Sequence, residues 1–123
     1  MLKKILLVDD SKTSLFLERM ILKKGSYEVV TACDGEEGVS KALAERPDLV
    51  LMDVVMPRMN GFEALKRLRS ERTTRDLPVI MVTTRGEGPN VEAGFESGCN
   101  GYVTKPVDAA ELLAKVKTCL EAA

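Results

Sequence analysis

Residues Leu49-Val50-Leu51-Met52-Asp53 form an unbroken apolar run that ends in a carboxylate. A strand with one solvated face alternates polar and apolar residues, whereas a strand covered on both faces carries a continuous apolar run. This stretch therefore predicts a buried strand with Asp53 at its carboxyl end.

Four more short apolar or β-rich runs lie along the chain, at residues 5–8, 29–32, 79–83 and 102–104. Helical patterns occupy residues 13–24, 36–45, 62–70 and about 109–121, with Gly25 as a C-cap signal and Asp108 as the expected N-cap. A further helix is expected after the fourth strand, beginning at or after Pro89. Right-handed crossovers between successive strands then give a parallel sheet with helices on both faces.

Composition narrows the possible functions. The chain has 123 residues, which suits one domain, and 45% hydrophobic and 30% charged residues, with a net charge of −1. This balance argues against a nucleic-acid binder, and no apolar run approaches the length needed for membrane insertion. The absence of His excludes His-based catalysis within the chain, and the three Cys form no CxxC motif. With no signal peptide evident, we expect a cytoplasmic protein.

Polar residues end or follow four of the predicted strands. Asp9-Asp10 follow the first strand, Asp53 ends the third, Thr83-Thr84 end the fourth, and Lys105-Pro106 follow the fifth. In open α/β sheets, ligands bind outside the carboxyl ends of the strands. We therefore expect three carboxylates, a hydroxyl and an ammonium to converge at one edge of the sheet.

These residue types favour phosphoryl chemistry. Clustered carboxylates repel one another unless a cation neutralises them, and oxygen ligands at an open site favour Mg²⁺. The metal and Lys105 would offset charge on a phosphoryl group, Thr83 would donate a hydrogen bond, and a carboxylate would be the nucleophile. Asp53 is the candidate nucleophile because it stands alone, whereas Asp9 and Asp10 form a pair. The alternative is that these residues are turn formers, caps and surface charges.

The motifs together resemble the receiver domain of bacterial response regulators, in its single-domain, CheY-like form. They are Asp9-Asp10, residues 53–61 (DVVMPRMNG), Thr83 and residues 102–106 (YVTKP). The resemblance spans essentially the whole chain and implies one receiver domain over residues 1–123. It also implies a flavodoxin-like (βα)5 fold with strand order 2-1-3-4-5.

The resemblance implies specific roles for these residues. Asp53 would accept a phosphoryl group from the phosphohistidine of a partner histidine kinase or phosphotransfer protein. Asp10, Asp53 and the backbone carbonyl of Val55 would bind Mg²⁺, with Asp9 acting mainly through a metal-bound water. Lys105 would pair with Asp53 and then with the phosphoryl oxygens. Such a protein is a switch that catalyses only its own phosphorylation and dephosphorylation.

The resemblance also implies an output mechanism. Thr83 would bond the phosphoryl group, Tyr102 would follow it inward, and Lys105-Pro106 would be a cis peptide. A downstream protein would bind the face formed by the helix after the fourth strand, the fifth strand and the final helix. Val55 and Arg85, close in sequence to Asp53 and Thr83, are expected to tune the lifetime of the phosphorylated form.

Several alternatives stay open at this point. Within the same class, the chain would be a phosphate sink or a receiver excised from a larger protein. A separate alternative is a degenerate receiver that serves as a scaffold without phosphorylation. A flavin binder is disfavoured because Asp9-Asp10 would repel the flavin phosphate, and a phosphatase is disfavoured because its acids usually form Asp-x-Asp on the first strand. The helix at residues 13–24 has too many apolar residues for one stripe, so a partner site there is a further alternative.

Overall fold

The structure is a computed structural model that describes residues 2–84 and 98–122. Within these residues, five strands form one parallel sheet in the order β2-β1-β3-β4-β5. The strands are β1 (Lys4–Val8), β2 (Glu28–Ala32), β3 (Leu49–Asp53), β4 (Val79–Thr84) and β5 (Gly101–Lys105). The predicted strands and their order are confirmed.

Four helices lie in the described part of the chain. They are α1 (Lys12–Lys24), α2 (Gly35–Glu45), α3 (Gly61–Ser70) and α4 (Ala109–Ala122). Each begins and ends within one residue of its predicted bounds. The helix expected at or after Pro89, and Arg85 with it, fall outside the described residues.

The strands carry unbroken apolar runs because each face of the sheet has its own core. Ile5 and Leu7 of β1 pack in the core beneath α1 and α4, whereas Leu6 and Val8 pack in the core beneath α2 and α3. Successive strand residues point to opposite faces, so a strand buried on both faces needs an apolar side chain at every position. All five residues of β3 are buried, which places Asp53 at the end of the most enclosed strand.

Helix α1 ends where the sequence predicts, but for a different physical reason. Gly25 has a φ of −84°, and the left-handed residue of the turn is Ser26, with a φ of 66°. A Cβ on Gly25 would lie 2.8 Å from Leu113 Cδ2 of α4. A glycine is therefore needed at position 25 because α4 approaches closely, and not because the backbone there requires glycine.

The start of α3 holds the end of β3 in place. Asn60 and Glu63 form a reciprocal capping box, in which each side chain accepts a hydrogen bond from the other's backbone N–H. The Gly61 N–H donates to the Val54 carbonyl at 2.8 Å. A Cβ at Gly61 would collide with the Asp53 carbonyl oxygen, so only glycine allows the helix to start this close to Asp53.

Helix α1 buries a narrow stripe and exposes much of its apolar surface. Leu22 is fully buried, whereas Phe16, Leu17 and Met20 are 63%, 54% and 46% exposed. This agrees with the sequence pattern, which has too many apolar residues for one buried stripe. The buried stripe also contains Glu18, which is 3% exposed.

Candidate functional site

Three carboxylates meet at the carboxyl edge of the sheet. Asp9 and Asp53 are buried and Asp10 is exposed, and one oxygen from each lies within 4.8 Å of the others. The strand register explains this convergence, because Val8 of β1 pairs with Met52 of β3 and the acids come next along each chain. The structure therefore brings together the three acids that the sequence places at strand ends.

Lys105 bridges two of these carboxylates. Its Nζ lies 2.9 Å from Asp9 Oδ2 and 3.5 Å from Asp53 Oδ1, and the Lys105-Pro106 peptide is cis, as expected. Burial lowers the pKa of Lys105, but the hydrogen bond to Asp9 and the charges of Asp53 and Asp9 outweigh it and raise that pKa above its usual value. The ammonium is thus held charged between the two acids.

Lys105 forms the ion pair with Asp53 that the resemblance implies, but its shorter contact is with Asp9. Both Asp9 oxygens are occupied, since Oδ1 accepts a hydrogen bond from the Ser11 N–H at 2.8 Å and Oδ2 accepts from Lys105. Ser11 is also the N-cap of α1. Asp9 is therefore anchored by neighbouring groups and less available as a direct metal ligand than Asp10.

Asp53 is a carboxylate that is costly to keep charged. Burial, followed by the negative charge of Asp9, raises the pKa of Asp53 to about 7, and Lys105 opposes this rise. A second cation near Asp53 would favour its ionised form.

Thr83 lies on β4, the strand next to that of Asp53, and Tyr102 lies one strand further out, on β5. The side chains of Thr83 and Tyr102 share a face of the sheet. Asp53 pairs with Val82, and Thr83 is buried at the next position of β4. Tyr102 of β5 pairs with Met81, two residues before Thr83, so the side chains of Met81, Thr83 and Tyr102 point to one face of the sheet. The Tyr102 ring is half-buried against the core beneath α2 and α3, with Lys115 Nζ 5.5 Å from its centroid.

Val55 lies at the rim of the site. It follows Asp53 by two residues, in the loop between β3 and α3, and it is 55% exposed. Its expected partner in tuning the phosphorylated lifetime, Arg85, lies outside the described residues.

Glu18 is the site residue that the sequence reasoning missed. Burial, followed by the charge of Asp9, raises the pKa of Glu18 to about 7, although Lys105 lowers it. A signal was present in the helical spacing, since Glu18 falls three residues after Leu15 and four before Leu22, on the same stripe. The apolar residues of α1 alone do not indicate that a carboxylate shares the buried stripe.

The donor set suits a hard divalent cation. Asp9, Asp10 and Asp53 supply only oxygen ligands, and Lys105 neutralises only part of their charge. Oxygen donors with an exposed member such as Asp10 fit Mg²⁺, which retains several waters in protein sites. A second group of residues with side chains able to bind a metal, Cys33, Asp34 and Glu37, lies near the start of α2.

Among residues 2–84 and 98–122, no helix is both long and apolar enough to cross a membrane.

Comparison with known proteins identifies relatives over nearly the full length of the chain. A model of the response regulator receiver domain matches residues 5–117. Protein PilH of Pseudomonas aeruginosa is 41% identical over 117 residues, which cover 95% of this chain and 97% of PilH. The chain spans about half the length of two other curated relatives that it matches, 48% in each case.

Two solved structures show the same architecture. The chemotaxis response regulator CheY4 of Vibrio cholerae is 34% identical with a TM-score of 0.90, and the match covers 97% of this chain and 99% of CheY4. The receiver domain of a sensor histidine kinase from Pseudomonas aeruginosa is 28% identical with a TM-score of 0.91, and the match covers 98% of this chain and 99% of that domain. That domain was solved with a magnesium ion coordinated in its active site cleft. The family match and the identity with PilH together show that this chain belongs to the response regulator receiver domain family.

Proposed function

We propose that this chain is a phosphorylation-controlled signalling switch and that Asp53 accepts the phosphoryl group. The observation that carries the proposal is the placement of Asp53, buried, within 4.8 Å of two other carboxylates and 3.5 Å from Lys105. A buried carboxylate with a flanking ammonium, beside oxygen ligands for a metal, is the arrangement that phosphoryl transfer to an aspartate requires.

Mg²⁺ is the proposed cofactor. Asp10, Asp53 and the backbone carbonyl of Val55 would hold it directly, and Asp9 would act through a bound water, because both Asp9 oxygens already have partners. Mg²⁺ would supply positive charge that neutralises the carboxylates and the incoming phosphoryl oxygens. The magnesium ion reported for the sensor kinase receiver domain supports this assignment.

The donor would be a phosphohistidine of a partner histidine kinase or phosphotransfer protein, since this chain contains no His. An oxygen of the Asp53 carboxylate forms the new P–O bond, the P–N bond of the phosphohistidine breaks, and the imidazole leaves with the electron pair. Lys105 offsets the charge on the transferred group, and Thr83 donates a hydrogen bond to a phosphoryl oxygen.

The output would be a change of surface read by a downstream protein. Thr83 and Tyr102 share a face of the sheet on adjacent strands. A displacement of Thr83 toward the phosphoryl group would therefore change the surroundings of the Tyr102 ring. The proposed output surface includes β5 and α4, and the helix expected after β4, its third part, falls outside the described residues. Likeness to a chemotaxis response regulator makes chemotaxis signalling in the cytoplasm the process to test first.

Intact mass spectrometry tests this proposal. The protein is incubated with acetyl phosphate, with and without Mg²⁺, beside Asp53→Asn. We expect one added phosphoryl group in the wild type with Mg²⁺ and none in the variant. A wild-type protein that gains no phosphoryl group and also fails to respond to beryllofluoride would support a phosphorylation-independent scaffold instead.

A further inference from the structure

A cavity of about 550 Å³ opens between α1, the carboxyl end of β4, the loop after β5 and α4. Its lining is mainly apolar and includes Leu17, Ile21, Val107 and Leu113. Cavities of about 300–1,000 Å³ that combine apolar walls with a few polar groups are typical of small-molecule sites. The size and lining of this cavity therefore suit a small organic ligand.

Glu18 gives the cavity its anchoring group. Glu18 lines the cavity and is 3% exposed, and its carboxylate has no hydrogen bond or ion pair with any described residue. Every fully enclosed side-chain oxygen or nitrogen among the described residues has a partner, so the Glu18 carboxylate must retain an opening. The cavity that Glu18 lines is an open space into which this opening can lead.

Neighbouring cations do not satisfy this carboxylate. Lys105 also borders the cavity, but its ammonium is directed to Asp9 at 2.9 Å and Asp53 at 3.5 Å. Lys24 borders it from the last turn of α1, six residues and therefore roughly 9 Å along the helix axis from Glu18. A buried carboxylate without a partner is costly, and a cation that enters the cavity would remove that cost.

We propose that this cavity binds a small organic amine, with the ammonium on Glu18 and the apolar body against Leu17, Ile21, Val107 and Leu113. The proposal concerns a second site, separate from the carboxylates that would bind Mg²⁺. Because Thr84 and Lys105 border the same cavity, an occupant would also affect phosphorylation of Asp53. Only this last consequence rests on the proposed function, and the binding site itself stands without it.

Titration followed by methyl NMR tests the site, with 2-phenylethylamine as the probe and 2-phenylethanol as its neutral match. Mg²⁺ is kept in excess so that the amine does not simply occupy the acidic cluster. We expect the amine to shift the methyl signals of the four apolar lining residues and to bind about tenfold more tightly than the alcohol. Equal binding of amine and alcohol, or no binding of either, would overturn the proposal.

Two variants locate the charge and the cavity. Glu18→Gln keeps the side-chain shape and should remove the preference for the amine, whereas Val107→Phe should fill the cavity and weaken both probes. Asp53→Asn should keep the preference for the amine over the alcohol, which separates this site from the phosphoryl chemistry. An amine preference that survives in Glu18→Gln but disappears in Asp53→Asn would mean that the amine binds the acidic cluster.

Discussion

The Lys105 ammonium lies 2.9 Å from Asp9, closer than its 3.5 Å distance to Asp53. Asp9 is fixed on its other oxygen by the Ser11 N–H, at the start of α1. Lys105 is thus held near Asp53 by a residue that is itself anchored. A phosphoryl group on Asp53 could recruit Lys105 by lengthening one ion pair without moving the backbone of β5.

Replacement of this lysine should separate metal binding from phosphorylation. In Lys105→Met the carboxylates lose their competing cation, so we expect Mg²⁺ affinity to rise about tenfold and phosphorylation by acetyl phosphate to slow about tenfold or more. Calorimetric titration with Mg²⁺ and timed intact mass measure the two effects. Lys66→Met, at an exposed position of α3, is the control and should change neither. A loss of both Mg²⁺ affinity and phosphorylation in Lys105→Met would indicate that Lys105 only supports the fold.

The two metal-ligating clusters can be distinguished by single substitutions. Asp10 is exposed, so Asp10→Asn should cost little stability, yet it should weaken Mg²⁺ binding about tenfold or more because a charged ligand is lost. Glu37→Gln, in the cluster with Cys33 and Asp34, should leave Mg²⁺ affinity unchanged. The rise in melting temperature with added Mg²⁺ measures the Mg²⁺ affinity of each variant. If Glu37→Gln were the weaker binder, the metal would belong at the start of α2.

The buried Glu18 should make stability fall as pH rises. The pKa of Glu18 is about 7 in the folded protein, against an ordinary value of 4.5 that we take for the unfolded chain. Between pH 4.5 and about pH 7, the folded state therefore binds more protons than the unfolded state. The free energy of unfolding therefore decreases through this window, by on the order of 3 kcal/mol for this group, and levels off above it.

Urea unfolding at about pH 5 and about pH 8, without Mg²⁺, measures this slope. Asp53 contributes in the same direction, because burial and the charge of Asp9 also raise its pKa to about 7. Glu18→Gln should therefore flatten the slope in part, and Glu36→Gln, at an exposed position of α2, should leave it unchanged. A wild-type slope retained in Glu18→Gln would show that this carboxyl titrates normally.

The hydroxyl of Thr83 should be required for the switch and not for phosphorylation. Thr83→Val keeps the shape of this buried side chain but removes its hydrogen-bond donor. Because Asp53 and Lys105 are unchanged, Asp53 should still be phosphorylated. The NMR shift of the Tyr102 ring on addition of beryllofluoride and Mg²⁺ should disappear in this variant. Thr104→Val removes the hydroxyl of the residue paired with Thr83 and should preserve the response. Loss of the response in both variants would place the cause in the sheet itself.

Much of the fold followed from the sequence because its physical causes are local. The apolar run at residues 49–52 predicts burial on both faces, and the polar residues after each strand predict which groups meet at the sheet edge. Glu18 escaped prediction because a carboxylate on a buried helical stripe contradicts the usual rule that charges are exposed. The preference of Lys105 for Asp9 also escaped, since it depends on the Ser11 N–H and on distances that strand assignments do not provide. Gly25 shows that a correct helix end can have an unforeseen cause, the approach of Leu113.

Chemical trapping of the phosphorylated residue tests the central claim most directly. The protein is treated with acetyl phosphate and Mg²⁺, reduced with sodium borohydride, which converts an aspartyl phosphate to homoserine, and then mapped by peptide mass spectrometry. We predict homoserine at position 53 alone, and only when both phosphodonor and Mg²⁺ are present. Homoserine at position 9 or 10, or its absence at position 53 in a protein that has gained a phosphoryl group, would contradict the assignment of Asp53 as the acceptor.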